Sequence, residues 1–295
     1  MLMEVLSFPD GFRKAFLLDV NEGIEEALKK LLLPDDLVSL IVRDIDRQRA
    51  IPQDGLTLIL GGFRIKEGEL EHSPLILLLR EDYLAVISAG DFLKKIKEDF
   101  ERNSYSCRSS PDLLMSVSLL RLVDEYYKIY DLIEDKIDEL EDKVAENPSE
   151  VGIDEFRRVR NSLIRFRRAL YSFREVASLM LGRGIYGISG DAERIVQEVY
   201  EDLIQLMDMV ESQKERLADI RDLHLSALSL SLNEVMKKLT ALNVIALPLI
   251  IIAGIYGMNL IIPEARWPYT YPVVLLVMFL MAAFSAFLLR RRGWI

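Results

Sequence analysis

The sequence predicts an α+β multidomain membrane protein. Its expected parts are a cytosolic α/β domain, a helical hairpin, and a very long stalk helix continuing into the first of two transmembrane helices. Three observations carry that reading. Two apolar runs, 239–259 and 273–289, stand near the C-terminus, and the first contains no charged residue. It is long enough to cross a bilayer core as a helix, which takes roughly 20 residues. Charge is segregated: residues 236–295 hold six basic residues and one acid, a net of +5, so with a whole-chain charge of −10 residues 1–235 carry −15. Finally, from 191 to 256 the helical pattern has no convincing break apart from Pro248.

Residues 1–108 are expected to form the α/β domain. Strand-like stretches lie at 12–20, 56–65, 74–79 and 83–88, the last two flanking Arg80-Glu81-Asp82 as a hairpin loop. Helical patterns lie at 23–33, 36–47 and 91–102, where Phe92, Ile96 and Phe100 recur every four residues. Gly61-Gly62 within an apolar strand marks a bulge or a close packing contact. Neither a glycine-rich phosphate loop nor a nucleophile elbow is present. No constellation of nucleophile, base and orienting group can be proposed, so an enzyme is not expected.

Residues 109–190 read as an antiparallel helix pair. Between Asp124 and Glu146 the first arm carries ten acids against Lys128, Lys136 and Lys143. Asn147-Pro148-Ser149 is a strong helix stop. The return arm holds Arg157, Arg158, Arg160, Arg165, Arg167, Arg168 and Arg174. Opposed arms of this kind are expected to orient one another, although an exposed ion pair contributes only about 0–1 kcal/mol. Gly182, Gly184, Gly187 and Gly190 then reset the chain direction.

Residues 191–256 form the stalk and first span, about 100 Å of helix at 1.5 Å per residue. Val196, Val199, Leu203, Leu206, Val210, Gln213, Leu217, Ile220, His224 and Ala227 follow alternating steps of three and four, the seam of helices lying side by side. His224 on that seam is a packed polar residue rather than a ligand. Continued inward, the same steps select Met236, Leu239 or Thr240, Asn243, Leu247, Ile250, Gly254 and Gly257. Asn243 is the one polar side chain well inside the span, and an amide at that depth needs a partner, a symmetric ring or water. Pro248 removes one backbone hydrogen bond. Two helices cannot enclose water, so any conduction path must be built from several subunits.

Residues 257–271 make a short external loop, with Trp267, Tyr269 and Tyr271 suited to a membrane interface, and 272–295 the second span and basic tail. Lys237 and Lys238 flank the entry of the first span and Arg290, Arg291 and Arg292 the exit of the second. By the positive-inside rule both termini are cytoplasmic. The N-terminus has no basic start or long apolar stretch of a signal peptide. Cys107 alone excludes an internal disulfide framework, and with two histidines a structural zinc site has little material. So acidic a body suits divalent cations or basic partners and argues against nucleic acid.

Tyr256-Gly257-Met258-Asn259, followed by a second span and a basic tail, resembles the CorA family of magnesium channels, within the Gly-Met-Asn superfamily of divalent metal ion transporters. Asn233-Glu234-Val235-Met236-Lys237, Ile252-Ala253-Gly254-Ile255 and Pro263-Glu264 with Arg266-Trp267 strengthen the resemblance, which covers the whole chain in organisation. It implies a homopentamer in the inner cell membrane that takes up Mg²⁺ passively, with Co²⁺ or Ni²⁺ as secondary ions. Gly257, Met258 and Asn259 would form the selectivity filter. A ring of Asn259 amides suits Mg²⁺, which is small, octahedral and reluctant to lose water, and Gly257 would release the chain from the helix through a positive φ. Glu264 would enrich cations at the mouth. The resemblance places Asn233, Met236, Leu239, Asn243, Leu247, Ile250 and Gly254 on the pore face, with Leu239 and Leu247 as hydrophobic constrictions.

Two positions depart from the family pattern. Relatives often carry threonine where Ile250 stands, and a small apolar residue where Asn243 stands. Asp222 would contribute to a regulatory Mg²⁺ site between subunits that holds the closed state. Two alternatives stand beside this reading: a zinc transporter of the same family, against which Met258 counts, and a membrane-anchored sensor or scaffold without ion flux.

Overall fold

The computed structural model describes residues 4–19, 23–31, 33–43, 49–52, 55–66, 69–182, 188–258, 263 and 267–294, without the side chains of 30 and 63–72. Asn259, Glu264, Gly184, Gly187 and the end of the 36–47 helix therefore lie outside the described residues. The chain divides into two units, Met1–Lys143 with Val151–Ile220, and Val144–Glu150 with Arg221–Ile295.

The first unit is built on a six-stranded sheet. Its strands are β1 (Glu4–Ser7), β2 (Lys14–Asp19), β3 (Arg49–Ile51), β4 (Leu56–Lys66), β5 (Glu69–Leu79) and β6 (Tyr83–Ser88), in the order β1-β2-β6-β5-β4-β3. Only β2 and β6 pair in parallel. Helices α1 (Ile24–Lys30) and α2 (Asp35–Arg43) cover one face, through a cluster joining Leu28, Leu37 and Ile41 to Ile59, Ile76, Leu78 and Ile87. The alternate residues Leu58, Leu60, Leu75, Leu77, Leu84 and Val86 are equally buried. A sheet covered on both faces explains why β5 and β6 read as unbroken apolar runs rather than alternating ones.

The other face meets α3 (Gly90–Arg102), α4 (Pro111–Glu146) and α5 (Ile153–Leu181). Tyr126 of α4 is fully buried, donates its hydroxyl to the Gly61 carbonyl, and stacks edge-on against Phe166 and Phe173 of α5. The Arg80-Glu81-Asp82 hairpin is present, closed by Arg80 N–H donating to Tyr83 O at 2.8 Å. Strands β1 and β3 were not anticipated; at four and three residues they are too short to carry a periodic signal. At Gly61-Gly62 the pairing with Pro74 and Ser73 continues in register, so there is no bulge. A Cβ on Gly62 would lie 2.3 Å from the Ser73 carbonyl oxygen, which makes this the close-packing alternative. Pro74 is tolerated because the pairing of β5 with β6 begins only at Ile76.

The α4–α5 hairpin corrects one electrostatic expectation. Among the described residues no arginine of α5 pairs with an acid of α4. The bridge between the two arms runs the other way, from Lys143 to Glu155 at 3.1 Å. The acidic arm is served instead by Arg121 in its own helix, by Lys95 of α3, and by Arg216, which reaches Asp138 and Glu141. What joins the arms is the buried apolar stripe of α5, from Phe156 through Leu163, Phe166 and Leu170 to Phe173 and Met180.

Helix α6 (Gly190–Tyr256) runs for 67 residues with Pro248 inside it. The heptad residues from Val196 to His224 are all buried, and Ala227 is half-buried. Gln213 donates to the Tyr130 hydroxyl at 2.8 Å and to Glu134 at 2.7 Å, a polar pin in an otherwise apolar seam. In the second unit His224 is 7% exposed, with Nε2 2.8 Å from the Pro148 carbonyl oxygen. A carbonyl only accepts, so Nε2 carries the proton and the residue is packed rather than free to bind a metal through that atom. Helix α7 (Thr270–Arg291) closes with Gly293 at φ +68 and Trp294 N–H donating to Leu289 O, a left-handed C-terminal cap. The apolar part of α6 and the whole of α7 are long and apolar enough to cross a membrane, and only 6% of each apolar window is buried within the chain. The α/β body, paired helices, long helix with an apolar end and second apolar helix are the architecture expected from sequence.

Candidate functional site

The features of interest gather on the apolar half of α6. Among its buried and half-buried residues Ala241, Ile245, Leu249 and Ile252 form one stripe, with Ala246 and Pro248 also half-buried beside it. Along α7 Val274, Met278, Ala282, Ser285 and Leu289 form another, with Ala286 beside it. Both sets recur at steps of three and four, the pattern of two helices lying side by side along these stripes. Ala241, near the start of one span, and Leu289, near the end of the other, are the buried pair.

The seven positions assigned from sequence, Asn233, Met236, Leu239, Asn243, Leu247, Ile250 and Gly254, are all exposed in the single chain. At 100° per residue their mean direction lies about 180° from the Ala241–Ile252 stripe. They therefore occupy one face, turned away from the stripe that is covered. That face combines large apolar side chains (Met236 at 60%, Leu239 at 52%, Leu247 at 58% and Ile250 at 64% exposed) with two amides and a glycine. A Cβ on Gly254 would meet nothing within 4 Å, so no contact inside the chain requires a small residue there. At the entry, Lys238 pairs with Glu234 at 2.8 Å, one turn apart.

At the far end the helix stops where the motif begins. Gly257 N–H donates to Ala253 O at 2.9 Å and Met258 N–H to Ile255 O at 3.3 Å. The expected positive φ at Gly257 is not found. Positive φ among glycines is confined to Gly11, Gly23, Gly55 and Gly293 within the described residues. Glycine suits the position for a different reason: a Cβ would sit 3.0 Å from the Ala253 carbonyl oxygen, tight enough that the neighbouring backbone would have to give by a few tenths of an ångström. Met258 is exposed, and beyond the loop Trp267 and Tyr269 stack edge-on at 5.8 Å with both rings largely open.

Asp222 is exposed, and both Nε and Nη2 of Arg221 donate to its Oδ1, at 3.1 and 2.9 Å. Among the described residues no group of three or more His, Cys, Asp or Glu side chains could hold a metal ion within one chain. The first unit adds a carboxylate that sequence reading passed over. Burial first, then Glu198, Asp124 and Glu201, push Asp202 above the usual carboxylate range. Glu198 and Glu201 share α6 with Asp202, while Asp124 comes from α4, so the part played by Asp124 is revealed only by the contact between helices. On the other side of the ledger, Asp99 is 6% exposed and receives Arg121 through two hydrogen bonds, at 2.6 and 2.8 Å. Donating to Asp99 holds the Arg121 guanidinium charged, its pKa pushed up.

The chain matches the family of CorA-like Mg²⁺ transporter proteins over residues 18–291. It is 32% identical over 231 residues to the cobalt/magnesium transport protein CorA of Thermotoga maritima, covering 77% of this chain and 66% of that protein. It is 29% identical over 178 residues to the protein of the same name from Methanocaldococcus jannaschii, covering 60% of this chain and 56% of the relative. The matched stretches thus span under two thirds of the length of these relatives. The fold superposes on the complete structure of the CorA magnesium transporter from M. jannaschii with a TM-score of 0.77 and 23% identity, over 98% of this chain and 94% of that one.

Proposed function

Because this chain belongs to the family of CorA-like Mg²⁺ transporter proteins, we propose that it is a membrane channel for divalent cations. In this reading it is a homo-oligomer, pentameric by family resemblance, that admits Mg²⁺ passively with Co²⁺ and Ni²⁺ as secondary ions. The observation that carries the reading is the exposed face of α6, bearing two amides and Gly254 on the side opposite the covered stripe. Such a face in the bilayer is costly if lipid covers Asn243, and it is accounted for if copies of the chain place it around a common axis.

In a ring of copies Leu239 and Leu247 form apolar constrictions that close by dewetting. Asn243 supplies a girdle of amide oxygens between them, and Gly254 allows close approach near the outer end. At the mouth, Asn259 of each copy meets the hydrated ion. A neutral amide ring suits Mg²⁺ because it bonds the ion's water shell without stripping it. Gly257 and Met258 position that residue, and Glu264 draws cations towards it. Both termini face the cytoplasm, with Arg290, Arg291 and Arg292 at the inner surface.

Regulation follows from Asp222. In one chain Arg221 donates twice to Oδ1 of this carboxylate, so a regulatory Mg²⁺ competes with that guanidinium and draws its other ligands from an adjacent copy. Bound cation then favours the closed arrangement as a linked population shift. Asp222→Ala is expected to weaken the protection that Mg²⁺ gives the cytosolic portion against protease; undiminished protection would remove Asp222 from the sensor.

The decisive experiment is flux in liposomes with internal Mg²⁺ varied. Uptake that falls as internal Mg²⁺ rises, and that Asn259→Ala alters in rate or selectivity, supports the reading. An assembled oligomer without divalent flux would make the protein a sensor or scaffold. Flux of Zn²⁺ but not Mg²⁺ would assign it to the zinc branch.

A further inference from the structure

Helix α5 is anomalous in an acidic protein. Between Glu155 and Glu175 it contains no acid and seven arginines. Arg157, Arg158, Arg160, Arg165 and Arg168 are exposed, and among the described residues only Arg157 of these five has an ion partner, Asp154 at 3.5 Å within its own turn. Ile164, 44% exposed, lies among them. On α4, Asp131, Asp135, Glu139 and Asp142 are also exposed, lie on one helix face at steps of three and four, and have no ion pair among the described residues. Two complementary stripes thus stand unsatisfied on neighbouring helices of one unit.

Their levels along the hairpin coincide. The Lys143–Glu155 bridge aligns position 143 of α4 with 155 of α5. Antiparallel helices of equal rise keep the sum of facing residue numbers constant. Asp142 is therefore level with Phe156, Asp135 with Leu163, and Asp131 with Arg167. The acidic stripe and the arginine block occupy the same stretch, about 17 Å long, yet point away from each other inside the chain.

We propose that the arginine face of α5 docks on the acidic face of α4 in a second copy of this chain. The inference rests on the oligomeric reading above and says which surfaces meet. Rotation about an axis along the helices preserves level, so each α5 finds the acids of the next α4 at its own height. The contact is head-to-tail: one face of each copy meets a different face of the next, and such contacts close into a ring when the rotation permits. Arginine is the suited cation, since its planar fork engages carboxylates bidentately where lysine offers a point charge.

The test uses the full-length protein in membranes, with Asp135→Cys and Arg165→Cys introduced together and oxidised with copper phenanthroline. Cys107 is fully buried, and burial followed by the nearby Asp99 charge pushes its thiol up to about 11, so it stays silent. The double variant is expected to give a ladder of covalent oligomers ending at the closed ring, and each single variant none. Adding Arg160→Glu and Arg168→Glu should cut the ladder at least five-fold, and further adding Asp131→Arg and Glu139→Arg should restore it. A native-sized assembly that conducts but gives no ladder, or only a faster-migrating monomer linked within itself, would overturn the contact and leave the channel reading standing. A protein that is monomeric before oxidation would overturn both.

Discussion

Replacing Asn243 with Val tests the proposed pathway at its least ordinary residue. The side chain is exposed in the chain and lies about 160° around α6 from Ala241 of the covered stripe. If the face lines a pore, each copy loses one amide from a girdle that bonds the hydration shell of a passing ion. Taking two such hydrogen bonds to be engaged at once, at about 1 kcal/mol net each, the barrier rises by about 2 kcal/mol. That corresponds to a roughly thirty-fold loss of flux. If instead lipid covers the face, valine removes an unsatisfied amide from hydrocarbon, and the variant conducts as before while becoming more stable. The assay is initial Mg²⁺ uptake into liposomes at matched protein orientation, with Leu242→Val, one position around the helix, as the control. Thiol labelling supplies a second readout: a water-soluble reagent should modify cysteine at 236, 243 and 250 but not at 241, 245 or 252. Flux within two-fold of the parent from an intact assembly, or equal labelling of both sets, would refute the assignment.

Three further outcomes concern the cytosolic body. Arg121→Ala strips both hydrogen bonds from Asp99, a carboxylate that is 6% exposed, and should cost about 3 kcal/mol, read as a lowered thermal midpoint in detergent. Gly62→Ala forces a Cβ to 2.3 Å from the Ser73 carbonyl and should cost about 1–3 kcal/mol by prising β4 from β5; a midpoint equal to the parent's would refute that packing. For Asp202, whose folded pKa is raised, the charged form is disfavoured by folding. The penalty is absent below the ordinary aspartate range, where the group is protonated in both states, and complete above the raised value. Asp202→Asn should therefore raise the midpoint at pH 7, by about a degree after solvent screening, and show no gain near pH 3.

Legibility differed from element to element for identifiable reasons. The stalk was readable because its seam is a strict heptad: every residue from Val196 to His224 named by the three-four rule is buried. The hairpin at Arg80–Asp82 was readable because polar residues interrupt two apolar runs. Strands β1 and β3 were not, being too short for a period. The charges of the α4–α5 pair misled in a useful way. Composition shows an acidic arm and a basic arm, but pairing depends on which way each face turns, and the apolar stripe of α5 sets that rotation.

The class of protein was legible in the chain alone, because length, apolarity and the Gly-Met-Asn ending are properties of consecutive residues. So was the set of side chains that share a face of the long helix, because helical rise and rotation are fixed by backbone geometry. Which face is covered came from the folded chain, since Ala241 is buried by packing that no local pattern encodes. The fold also decided that Gly257 answers to a carbonyl 3.0 Å away rather than to a positive φ. And it alone left the arginines of α5 and the acids of α4 back to back, because long-range contacts, not neighbours in sequence, set the direction a charge points.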